Sequence, residues 1–92
     1  MEERDRFRRA EAVHTRLFDG ELVVLDLDHG EYFALDEIGT TLWNGLEHGK
    51  TIDQIADEIV ETFEVTRNQV VVDLSNLCAT LVARGLLVHE RG

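Results

Sequence analysis

The side chains with the most obvious chemical capacity are four histidines, His14, His29, His48 and His89, and one cysteine, Cys78. A metal ion needs donors that converge, most often a helical His pair or closely spaced cysteines, and these five lie far apart. No metal site is expected. Cys78 falls on the apolar face of a helical repeat, with no His or Arg at helical spacing to lower its pKa, so it is expected to be a buried structural thiol rather than a nucleophile. Asp57, Glu58 and Glu61 are carboxylates within one turn or so of each other, but their spacing is that of a solvated helix face rather than an acid and base pair. Glycine-rich phosphate loops are absent. The residue types therefore point away from catalysis, and no cofactor is implied.

What remains is binding, and it is most legible at residues 30–43, Gly-Glu-Tyr-Phe-Ala-Leu-Asp-Glu-Ile-Gly-Thr-Thr-Leu-Trp. Tyr32, Phe33, Ala34 and Leu35 favour an extended strand. Asp36 then caps a helix whose apolar positions Ile38, Leu42 and Leu46 recur at helical spacing. The strand runs into the helix without a linker and closes a meander, which puts it at a sheet edge whose unpaired backbone is able to accept another chain. Alternation pairs Phe33 with Leu35 on one face, sealing the core, and Tyr32 with Ala34 on the other. Trp43 reads as a core anchor at the junction of helix and sheet.

The elements that position this segment have readable limits. Val13–Phe18 alternates, Asp19-Gly20 is a tight-turn dipeptide, and residues 21–27 return as an apolar strand. A turn at Asp28-His29-Gly30 leads to Glu31–Leu35, giving a three-stranded antiparallel meander. Three helices follow, started by Asp36, by a capping box at Thr51 with Gln54, and by a second at Thr66 with Gln69. Gly49 ends the first, Glu64-Val65 breaks the second, and Gly85 ends the third, with Leu86 placed to touch Leu81. Leu86, Leu87 and Val88 then form a short apolar tail.

The second helix buries one stripe, Ile52, Ile55, Ala56, Ile59, Val60 and Phe63. The third carries a far wider apolar arc: Val70, Leu74, Leu77, Cys78 and Leu81 define one face, and Val71, Val72, Ala79, Val82 and Ala83 extend it. An arc that wide either packs on two sides or offers a groove.

With 92 residues the chain makes one small domain, enough for a core but not for a core plus a deep substrate cavity. No apolar run approaches the roughly 20 residues that span a bilayer, and no signal peptide follows the charged start, so a cytoplasmic protein with no membrane partner is expected. One cysteine suits a reducing compartment. Of the 9 basic residues four lie in the first nine positions against three acidic ones, so from Ala10 onward 5 basic residues face 16 acidic ones. Residues 1–10 are expected to form a disordered arm, and residues 11–92 the folded domain.

Three strands followed by three helices make an α+β fold with a winged helix-turn-helix-like order. In such a fold Arg67, Asn68 and Gln69 would start a DNA-reading helix. The acidic balance opposes that role, because phosphate neutralisation supplies most duplex affinity, and no nucleic acid partner is expected. A third reading is a homodimer that pairs its own edge strands, so that the chain would be a monomer or a weak homodimer.

The whole ordered length resembles the PqqD family and its relatives called RiPP recognition elements. The resemblance rests on Gly30, Tyr32, Phe33, Leu35, Asp36, Gly39, Leu42 and Trp43, on Thr51, Ile55 and Ala56, on Asp73, Leu74 and Leu77, and on Gly85, Leu86 and Leu87. It implies a non-catalytic adaptor that binds the leader segment of a ribosomally synthesised precursor peptide and presents it to a modifying enzyme, either a radical-SAM enzyme or a lasso-type leader peptidase/cyclase. Bound leaders in that family add a strand beside the third strand and lay side chains against the third helix. On this chain the implied positions are Glu31, Tyr32, Phe33, Ala34 and Leu35 for strand pairing and Val71, Leu74, Ser75 and Cys78 for the groove wall.

Overall fold

Turn chemistry fixes the course of the first half of the chain. The computed structural model describes residues 5–90. In it β2 (Val13–Phe18) reverses into β3 (Glu21–Asp26) at Asp19-Gly20, both with positive φ, and β3 reverses into β4 (Glu31–Leu35) across Gly30, also at positive φ. The sheet order is β2-β3-β4, all antiparallel, with Leu22 opposite both Leu17 and Leu35 and Val24 opposite both Thr15 and Phe33. The expected α+β arrangement of a meander followed by three helices is present.

Each helix begins as its capping residues dictate. Asp36 Oδ1 accepts from the Gly39 amide at 2.8 Å to open α1 (Glu37–Glu47). Thr51 and Gln54 form the reciprocal capping box of α2 (Ile52–Thr62). At α3 (Arg67–Ala83) only half of the second box forms: Thr66 Oγ1 accepts from the Gln69 amide, while the Gln69 side chain donates to Asp73 instead. Gly85 at φ +75° ends α3 in a Schellman turn, with Leu86 N donating to Leu81 O and Gly85 N to Val82 O.

The core gathers Val24 and Leu35 from the sheet with Leu42, Trp43, Ile52, Ile55, Ile59, Leu74, Cys78 and Leu81 from the helices, all essentially without solvent contact. Gly45 lets α1 and α2 approach closely: a Cβ there would lie 2.6 Å from Ile55 Cγ1. The Trp43 indole is buried, and its N–H donates to Glu47 Oε1 at 3.0 Å, which satisfies the one polar atom that burial would otherwise strand.

The N-terminal segment departs from expectation. Residues 1–4 of the expected arm lie outside the described residues, but Arg6–Arg9 forms a strand, β1, rather than a disordered arm. It pairs antiparallel with the apolar tail, which is itself the strand β5 (Leu87–Glu90), in the register Arg6 to Glu90 through Arg9 to Leu87. One apolar residue suffices to anchor it. Phe7 is buried and its ring stacks on His89 with centroids 4.9 Å apart. Polar contacts fasten the rest: Arg8 pairs with Glu90, Arg9 with Glu47, the Arg6 guanidinium donates to Gly49 O, and His89 Nε2 meets Asp5 Oδ2 at 2.7 Å.

Candidate peptide-binding site at the open sheet edge

Which backbone groups of β4 face outward follows from hydrogen bonds at the ends of its neighbour. Leu27 N donates to Ala12 O, on the β2 side, whereas Asp26 O accepts from Gly30 N, on the β4 side. Leu22 N donates to Thr40 Oγ1, which itself donates to Leu35 O, so Leu22 also turns its amide towards β4. Even-numbered residues of β3 therefore direct their backbone groups to β4. Antiparallel alternation then makes Val24 and Phe33 a hydrogen-bonded pair and leaves Tyr32 and Ala34 with N–H and C=O pointing away from the sheet. Both residues are exposed, Tyr32 at 69 %. Of the five residues expected at the strand, Tyr32 and Ala34 thus present the open backbone, and Glu31, Phe33 and Leu35 turn theirs towards β3.

The side chains of β4 divide in the same rhythm. Leu35 is buried and Phe33 half-buried against the core, whereas Glu31, Tyr32 and Ala34 are exposed. The turn before β4 is held by Asp26, whose Oδ1 accepts from the amides of Asp28 and His29 and whose Oδ2 meets His29 Nδ1 at 2.8 Å. That side-chain bond, first among the causes, holds the Asp26 carboxyl below its ordinary value and raises the His29 imidazole above its own.

The expected wall on α3 separates into two layers. Leu74 and Cys78 are at 1 % and 0 % exposure, within the core. Val71 and Ser75, one turn apart, are half-buried on the flank of the same helix, as is Val82 further along. The wide apolar arc thus splits into a buried stripe, Val70, Leu74, Cys78 and Leu81, and a half-exposed rim, with Val72 open to solvent beyond it. Burial pushes the Cys78 thiol up to about 12, which keeps it protonated and unreactive at neutral pH.

Where α3 ends, one contact bridges helix and strand that sequence reasoning did not single out. Arg84, the C-cap of α3, lies with its guanidinium carbon 5.0 Å from the centre of the Phe33 ring. Arg84, Tyr32, Glu31, Asp26 and Leu86 together line a small recess at this corner. Larger open depressions lie elsewhere, one of about 490 Å³ between α1 and α2 around Thr41, Gly45, Ile59 and Phe63, and one of about 410 Å³ beside β1. Neither contains a residue expected at the site. Size is a poor guide here, because strand addition needs an open edge with shallow side-chain pockets rather than a cavity. Among the described residues no group of three or more His, Cys, Asp or Glu comes together to hold a metal ion, and no helix is long and apolar enough to cross a membrane.

Known proteins share this architecture. The structure titled "TbiB1 in Complex with the TbiA(beta) Leader Peptide" is 34 % identical over 92 % of this chain and 99 % of that one, with a TM-score of 0.83. A second, "Lasso peptide synthetase B1 complexed with the leader peptide", shares the fold at a TM-score of 0.84 and 24 % identity, covering 89 % of this chain and 96 % of that one. No curated protein matches. Residues 21–87, from β3 to the start of β5, match the family described as Coenzyme PQQ synthesis protein D (PqqD), and the chain belongs to that family.

Proposed function

We propose that this protein is a non-catalytic adaptor that binds the leader segment of a ribosomally synthesised precursor peptide as an added strand on β4 and presents it to a modifying enzyme. The observation that carries the reading is the open edge at Tyr32 and Ala34, which offers two N–H and two C=O groups to a partner strand while the rim of α3, Val71 and Ser75, supplies apolar and small side chains. Main-chain bonds would give affinity and the rim would select side chains. A disordered leader loses conformational freedom as it docks, which limits the net affinity of so small an interface. The similarity to a protein solved in complex with a leader peptide supports the ligand class, and the enzyme served is a radical-SAM enzyme or a lasso-type leader peptidase/cyclase. The same reading places the protein in the cytoplasm, where precursor peptides are made.

The nucleic-acid reading has lost its best residue. The Arg67 guanidinium is held by Asp53 and Asp57, whose hydrogen bonds keep it occupied on the α2 side. A direct test of the proposal is an amide-resolved titration with the TbiA(beta) leader peptide as probe. Shifts concentrated on Tyr32, Ala34, Val71 and Ser75 are expected. Binding that moves the α1–α2 depression and leaves β4 unperturbed would refute strand addition.

A further inference from the structure

From the corner where α3 meets β4, we infer that Arg84 forms an anion-binding subsite of the peptide groove, selecting an aspartate or glutamate of the bound strand; this rests on the strand-addition reading. Most cations among the described residues are already committed. Arg8 is paired with Glu90, Arg9 with Glu47, Lys50 with Glu58, and Arg67 with Asp53 and Asp57, while Arg6 donates to a backbone carbonyl. Among the described residues Arg84 has no such carboxylate, nor has Arg16 on β2, but only Arg84 stands at the β4 corner. Its guanidinium rests on Phe33, even though Glu31 and Asp26 line the same recess. Asp26 is occupied by His29 and two turn amides.

Stacking leaves a guanidinium's edge donors open while fixing its plane, so the group is pre-oriented for a bidentate carboxylate. Phe33 faces inward on β4, and a residue of an added strand directly opposite it, or opposite Glu31, projects to the same face with its Cβ about 5 Å away. That places its side chain beside the Arg84 edge. In a chain of formal charge -10, a peptide acid is disfavoured by the overall charge, and an uncommitted cation at the groove offsets that locally. The subsite would therefore fix register as well as charge, since a shift of one residue turns the acid to the opposite face.

The test uses a phage-displayed library of random dodecapeptides, selected in parallel on the parent protein and on Arg84→Glu, with circular dichroism to show that the exposed C-cap variant folds. Peptides from the parent should carry Asp or Glu at one fixed position. Changing that residue to Asn or Gln should cost about tenfold in affinity, as a charge-assisted bond implies. Arg84→Glu should select Lys or Arg there, Arg84→Lys should keep the acidic preference in weakened form, and Glu31→Gln should tighten acidic peptides by removing a competing carboxylate. Binders with the same residue preferences on parent and Arg84→Glu would overturn the subsite and leave the groove intact. Peptides that bind the parent with no protection of β4 amides would overturn the groove itself, and a parent that enriches no peptide would overturn both.

Discussion

The three-stranded sheet has two open edges, β2 and β4, and the proposed groove uses only β4. On β2 the alternation worked out for β4 turns the amides of Thr15 and Leu17 outward, just as Val13 N turns away from β3 to reach Ala10 O. That strand runs out to an exposed tip at Leu17 and Phe18, 66 % and 60 % accessible, and the contacts that the helices make with the sheet fall on β3 and β4. The backbone groups on offer are equivalent. What β4 has in addition is α1 packed behind it and the Arg84 guanidinium stacked on Phe33 at the end of α3, so that, on the proposed reading, a strand added there gains side-chain contacts on one face while it pairs. An edge alone gives adhesion without choice; an edge with a wall gives recognition.

Predictions that separate edge from wall can be ordered by size. Leu74→Glu should have the largest effect, because it buries an unpaired charge behind the wall; the cost is of the order of several kcal/mol, and thermal unfolding monitored by circular dichroism should lose its cooperative transition. Next, Ala34→Pro should weaken binding of the TbiA(beta) leader peptide by about tenfold or more through a lost donor and a ring in the pairing line. Thr15→Pro, the matching change on β2, should stay within about twofold of the parent by the same arithmetic. Equal losses at the two edges, read by fluorescence anisotropy, would dissolve the distinction between them. Val71→Glu should fold and lose roughly fivefold in affinity, as a charge placed on a half-buried rim implies; unchanged affinity would remove Val71 from the wall.

The smallest effect concerns the turn that aims β4. His29 has a raised pKa in the fold, so its contribution to stability is complete below its unfolded value near 6.5 and is lost as pH rises through the raised value. Asp26 has a lowered pKa, so its contribution is present above 3.8 and is lost as pH falls through the lowered value. The pair is therefore strongest between those limits. Replacing His29 with Gln should flatten the stability profile on the alkaline side, and chemical denaturation at pH 6 and pH 8 would reveal it. A parent profile as flat as the variant's would show that the pair does not tension the turn.

Most of the framework was legible because local chemistry and burial agree. Asp36, Thr51 and Gly85 each specify a helix end by a bond that the structure forms, and Phe33 and Leu35 alternate as a half-buried strand must. The layering of α3 was harder. A run such as Val70-Val71-Val72 shows that a helix is apolar all round without saying which residue meets the core, since that depends on where α2 and β5 lie against it. Leu74 and Cys78 could not be told from Val71 and Ser75 for that reason. The strand at Arg6–Arg9 was invisible for a related cause: three arginines around one phenylalanine look solvated until the partner strand and Glu47 are in place. Arg84 was not singled out because cation stacking on a distant ring leaves no mark in spacing.

The pairing of Arg6 with Glu90 brings the start and finish of the described chain to one point. A tether attached to either end therefore departs from the same place, on a sheet separate from β2-β3-β4. Joining the domain to an enzyme in front or behind would leave the β4 edge at the same reach. A circularly permuted version, with its ends linked across β1 and β5 and reopened at Asp19-Gly20, should keep the same groove.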